Sequence, residues 1–145
     1  MIYTPITKKA MIVAYNAHHG QTDPTGVPYI FHPMHLAEQM TDETTTAAAL
    51  LHDVVEDTPI TLDDLRREGF PENVLQVVDL LTHREGVPYL DYVRALKSNP
   101  AARAVKLADL THNSTITRVN EITAKDMEYL TRYRAAFEIL QSGDT

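Results

Sequence analysis

Cysteine is absent from the 145 residues, which excludes disulfides and thiolate metal sites and leaves His, Asp, Glu and their like as ligands for any metal. Also missing is any apolar run near the roughly 18 residues of a membrane span. The opening MIYTPITKKA lacks the apolar stretch of a signal peptide. These absences predict a cytoplasmic protein with no membrane partner. Positive charge is scarce too: a net charge of −7 gives no general attraction for a nucleic-acid polymer or an anionic membrane. A phosphorylated substrate would have to be drawn locally, by bound metal and a few Lys or Arg. Nowhere is apolar alternation strict and long enough to argue for a sheet.

What is present suits a globular chain. Hydrophobic residues at 43% and charged ones at 23% leave disorder without support. The length fits a single domain over residues 1–145. Proline and glycine divide the sequence into helical segments, so the expected fold is an all-α bundle of about seven or eight helices. A first helix is expected over residues 5–18, with Ile6, Ala10, Val13, Ala14 and Ala17 on one side. After the turn-rich QTDPTGVPY, a second opens near His32-Pro33 and carries Leu36, Ala37 and Met40 inward. The third holds AALLHDVVEDT. Thr61 with Asp64 reads as a cap for a short helix that Gly69 ends, and Pro71 opens a fifth with Val74, Leu75, Val78 and Leu81 inward. The remaining three run from Pro88 to Lys97, from Pro100 to about Arg118 and from Ala124 to Gln141. The long seventh is expected to bury Ala104, Leu107, Ala108 and Thr111, and the last to present Met127, Leu130, Phe137 and Leu140.

The third segment carries the chemistry. On a continuous helix His52, Asp53, Glu56 and Asp57 fall within an arc of roughly 140°, opposite Ala47, Ala48, Leu51, Val54 and Val55. Read alone, this is a solvated face. Against that, Asp53 opposes Glu56 at i, i+3 and Asp57 at i, i+4, and all three acids lie near a helix end stopped by Pro59, where the dipole disfavours them. A cation would remove both penalties, so the stretch reads as half of a metal site with a general acid/base beside it. Other ligands must come from elsewhere. His32 opens a helix after a turn-rich loop and can project into a cleft. Asp109 in VKLADLTHN interrupts an apolar face and must be paired, hydrogen-bonded or metal-bound if buried; a salt bridge to Lys106 or a neighbouring Arg is the alternative. His18, His19, His35, His83 and His112 read as surface or capped-core residues. The mixed nitrogen and oxygen set suits Mn²⁺, Fe²⁺, Zn²⁺ or Mg²⁺, in that order of preference, and hydrolysis of a phosphoester or pyrophosphate with Glu56 and Asp57 handling protons.

The quartet His32, His52-Asp53 and Asp109 resembles that of HD-domain metal-dependent phosphohydrolases. GVPYIFHP, AALLHDVVEDT and VKLADLTHN, in this order within residues 18–113, resemble more narrowly the hydrolase domain of the RelA/SpoT alarmone enzymes. The length is similar to that of the stand-alone small alarmone hydrolases. The resemblance implies Mn²⁺ held by His32, His52, Asp53 and Asp109, water activation by Glu56 and Asp57, and nucleotide contact by Asn113. It also implies removal of the 3′-pyrophosphate of ppGpp or pppGpp, with no synthetase activity. Tyr133 would stack on the base as a tyrosine of the family's last helix does, with core packing as the alternative. The departures concern the nucleotide. Family members carry an Arg-Lys pair where this chain has Gln21-Thr22-Asp23-Pro24-Thr25-Gly26, and an Arg after the segment that here ends in Asn113-Ser114-Thr115. Lys106, Lys8, Arg84 or Arg118 would have to compensate. Two other readings stay open: a phosphohydrolase acting on NADPH or a nucleoside monophosphate, and a non-catalytic nucleotide-binding domain. Homo-oligomerisation is also open.

Overall fold

In the computed structural model, which describes residues 1–117 and 124–142, the chain folds around one helix with almost no side chain that can face water. This is α3 (Glu43–Leu51), in which every residue from Thr45 to Leu51 is buried. Three consecutive alanines, Ala47 to Ala49, let neighbouring helices come close on several sides at once. Asp42 starts α3 by accepting hydrogen bonds from Thr45 N at 2.7 Å and Thr45 Oγ1 at 2.8 Å.

Against α3 pack α1 (Pro5–Ala17), α2 (Phe31–Glu38), α6 (Glu72–Leu81) and α8 (Pro100–Thr117). The short α4 (Val54–Asp57) and α5 (Leu62–Arg67) link α3 to α6, while α7 (Tyr89–Leu96) and α9 (Ala124–Gln141) close the far side. The sequence dictates most of these ends. Thr4 and Thr61 each form a reciprocal capping box, with Thr7 and Asp64 respectively. Gly69, at φ +93°, makes the left-handed exit after α5 that a side chain would strain. No strand occurs among the described residues, only an isolated bridge between Thr22 and Pro28. No described helix is long and apolar enough to cross a membrane.

Three expectations need correction. AALLHDVVEDT is not one helix: α3 stops at Leu51, Asp53 takes a bridge-region conformation (φ −106°, ψ 1°), and α4 restarts at Val54, giving nine described helices where eight segments are legible. The His52 ring causes the interruption locally, its Nδ1 donating to the Ala49 carbonyl at 2.7 Å. Ala104 and Thr111 are exposed; α8 instead buries Ala102, Val105, Asp109 and Leu110, because Lys106 neutralises Asp109 and lets a charged residue sit inward. Met127 is exposed rather than packed, since α9 meets the core through Ala136 and Leu140 further along.

Candidate metal centre

Breaking the helix at His52 turns that imidazole inward, where it is only 3% exposed, and sets Asp53 beside it at the start of α4. His32 arrives from the first turn of α2 and Asp109 from the middle of α8. His32 Nε2 lies 2.8 Å from Asp109 Oδ1; His52 Nε2 lies 3.1 Å from Asp53 Oδ2 and 3.5 Å from Asp109 Oδ1. Donor atoms of His32, His52 and Asp109 fall within 4.8 Å of one another, and so do carboxylate oxygens of Asp53, Glu56 and Asp57. The six residues meet as one cluster from three segments of chain.

This donor set fits a divalent cation. With Nδ1–H given to Ala49, neutral His52 would carry its lone pair on Nε2, which makes no hydrogen bond of acceptable angle although two carboxylate oxygens stand near it. Three acceptors thus converge in a buried space, an arrangement that a cation relieves. The local field demands positive charge: burial opposes charging His52, yet Asp53 and Asp109 outweigh it and hold its pKa well above the usual histidine range. Burial likewise opposes ionised Asp109, but Lys106 and the two imidazoles hold its carboxyl well below the usual range.

The acids on α4 respond the other way. Glu56 and Asp57 are exposed residues whose carboxyls are nonetheless partly desolvated. That partial burial raises both pKa values, and Asp53 pushes them further in the same direction. Glu56 Oε1 accepts the backbone N–H of His83 at 2.7 Å. The loop before α2 is tied to the same acids. Tyr29 donates its hydroxyl to Asp53 Oδ2, and Gln21, itself held by His18 Nδ1 at 2.8 Å, donates to the Asp57 carbonyl at 3.2 Å.

Asn113 and Lys106, expected to contact a nucleotide, both reach Asp109: Asn113 Nδ2 to Oδ1 at 3.1 Å and Lys106 Nζ to Oδ2 at 3.0 Å. Lys106 also lies over the rings of Tyr89 and Tyr92. Tyr133 is half-buried against the core beside Tyr129. Of the compensating cations, Lys8 is exposed on α1, Arg84 is bound to Asp79 at 2.6 Å, and Arg118 lies outside the described residues. Asp23 does not stand free in its loop; its Oδ1 accepts from Thr25 N, Thr25 Oγ1 and Val27 N. Beside the centre lies a cavity of about 510 Å³, lined by Asp23, Val27, Tyr29, His32, His35 and His112, with no Lys or Arg among the described residues that line it.

Sequence reasoning missed Tyr29, His112 and Arg132. Tyr29 lies inside GVPYIFHP and could have been found there. His112 abuts His32, and burial together with His32 and His35 pushes its pKa down to about 4. Arg132 stacks on Tyr89 and Tyr129, and nothing in the local sequence announces that.

The sequence profile of the HD domain family matches residues 10–110. The chain is 36% identical to the bifunctional (p)ppGpp synthase/hydrolase SpoT of Escherichia coli K12, over 73% of this chain and 17% of SpoT. It is 40% identical to human guanosine-3′,5′-bis(diphosphate) 3′-pyrophosphohydrolase MESH1, over 63% of this chain and 56% of that protein. The chain thus spans less than two thirds of either relative. A solved structure described as "A metazoan ortholog of SpoT hydrolyzes ppGpp and plays a role in starvation responses" superposes with a TM-score of 0.78 over 100% of this chain and 90% of that one. At 24% identity that likeness speaks for the helical fold.

Proposed function

This chain belongs to the HD domain family, and from that premise we propose that it is a Mn²⁺-dependent hydrolase removing the 3′-pyrophosphate of ppGpp or pppGpp. The observation that carries the proposal is the row Asp53, Glu56 and Asp57, three carboxylates within 4.8 Å on one short segment directly beside His32, His52 and Asp109. A binding domain gains nothing from acids that repel one another at its ligand; a hydrolase needs them. Two of the relatives carry ppGpp hydrolysis in their names.

His32, His52, Asp53 and Asp109 would hold the cation, which supplies polarisation at phosphorus and a lowered pKa for water. Glu56, steadied at Oε1 by the His83 N–H, keeps Oε2 for proton transfer. Glu56 and Asp57 take the proton of the attacking water and return one to the 3′ oxygen as its bond to phosphorus breaks. Atoms balance: ppGpp and water give GDP and pyrophosphate. Tyr29 and Asn113 hold the carboxylates of Asp53 and Asp109 in place.

A second reading keeps the chemistry and changes the substrate to another nucleotide phosphate such as NADPH or a nucleoside monophosphate. It is favoured by the cavity beside His32, whose described lining includes Asp23 but no Lys or Arg. The test is a product assay with Mn²⁺ over ppGpp, pppGpp, NADPH, GTP and nucleoside monophosphates, beside an Asp53→Ala control. Pyrophosphate released from ppGpp by the wild type alone is the expected result. Turnover of another member with ppGpp untouched would overturn the alarmone assignment.

A further inference from the structure

A histidine that offers Nε2 as a ligand must carry its proton on Nδ1, and something must accept that proton. For His52 the acceptor is the Ala49 carbonyl, 2.7 Å away. For His32 it is not a carbonyl. His32 Nδ1 faces Nδ1 of His112 at 2.6 Å, across 77 to 80 residues of chain that bring α8 to α2. The two ring planes differ by 9° and their centroids are 4.9 Å apart. Rings lying face to face would keep their Nδ1 atoms an interplanar spacing apart; parallel rings whose nitrogens close to 2.6 Å lie side by side in one plane, which is a straight N–H···N bond. His35 covers the outer face of His112, with centroids 4.2 Å apart and planes at 25°, and so limits its rotation.

We propose that His112 is a positioning residue for the metal centre: its neutral Nδ1 accepts the Nδ1 proton of His32 and so keeps the His32 lone pair on Nε2, which faces Asp109 Oδ1 at 2.8 Å, as a ligand for the cation the two would share. The inference rests on the metal reading of His32 and is independent of which phosphate ester is cleaved. Both imidazoles of the centre are then locked in the same tautomer by different means, His52 by its own helix and His32 by a side chain from another.

Two substitutions separate the acceptor from the ring. His112→Phe keeps a flat ring between His32 and His35 and removes the acceptor; His112→Asn sets an amide oxygen near the position of Nδ1 and removes most of the ring. Mn²⁺ affinity is measured calorimetrically without nucleotide, and the tautomer of His32 by ¹⁵N ring shifts in the Zn²⁺-loaded protein. The Phe variant is expected to bind Mn²⁺ about 10- to 100-fold more weakly. The Asn variant should stay close to wild type and keep the Nδ1-protonated signature on His32. Wild-type affinity in the Phe variant, or equal losses in both, would show that His112 only packs. A wild-type protein that binds no divalent cation would remove the metal reading and this inference together. Normal Mn²⁺ binding with ppGpp left intact would remove only the substrate assignment.

Discussion

Lys106 and Asp109 show what the interior tolerates in the way of charge. Their side chains are 13% and 8% exposed, and they meet at 3.0 Å. Lys106→Met would leave the carboxylate buried without its cation and should destabilise the chain by about 3–5 kcal/mol, read from urea unfolding in the presence of chelator. The same engagement means that a substrate phosphate would have to share Lys106 with Asp109. At the acids, Glu56→Gln should retain Mn²⁺ affinity while kcat falls about 10²-fold or more, the usual scale for a general acid/base. The base acts deprotonated and its pKa is raised, so kcat/KM should climb with pH along an acid limb displaced above the ordinary glutamate value of 4.5. Asp57 is costly to the fold for the same reason. Its pKa is raised in the folded state, so its stabilisation is complete below 3.8 and lost as pH rises through the folded value. Asp57→Asn, which relieves one like-charge pair of ~0.2–0.5 kcal/mol, should raise Tm at neutral pH by about 1 °C.

Among the elements, the loop from Gln21 to Tyr29 is built around a residue that looks out of place in the sequence. Asp23 accepts three hydrogen bonds from its own loop, which lowers its pKa, led by the Thr25 hydroxyl. Asp23→Arg, which would add a cation beside the cavity, therefore also dismantles the loop. It should lower Tm whatever it does to nucleotide affinity, whereas Asp23→Asn, keeping one acceptor oxygen, should leave Tm nearly unchanged. Local chemistry made most elements legible: Thr61 with Asp64, Pro71 and Pro88 mark helix starts that the structure places within a residue or two. The interruption at His52 was not legible, because every residue from Ala47 to Asp57 is compatible with a helix and only the inward ring, taking the Ala49 carbonyl, ends it. The buried face of α8 was misjudged for a related reason. Alanines lie on both sides of that helix, and the deciding Lys106–Asp109 pair points inward against the polarity of its residues. The meeting of His32, His52, Asp53, Asp109, Glu56 and Asp57 could be anticipated because each is anomalous where it stands. His112 could not, since it acts through a partner 80 residues away.

For the molecule as a whole, a net charge of −7 opposes any polyanionic substrate at long range. KM for ppGpp should accordingly fall as NaCl is raised from low to physiological strength, the reverse of what a basic binding surface would give. Binding of a cation at the junction of α2, α3, α4 and α8 couples to global stability. Mn²⁺ at 100 times its Kd should add about 2.7 kcal/mol, so chelation should lower Tm by about 5–10 °C for a chain of this size. The effect need not be spread evenly. Enclosed by α1, α2, α6 and α8, α3 can release its amides to solvent only when the whole molecule opens, while the four residues of α4, two of them exposed, can open alone. Because the interruption between them lies at His52 and Asp53, a cation held there would slow hydrogen exchange in α3 only through the gain in global stability, whereas at the Asp57 and Thr58 amides, which close the turn of α4 on the Asp53 and Val54 carbonyls, it would damp a local opening: a footprint two amides long that reports occupancy before any substrate is known.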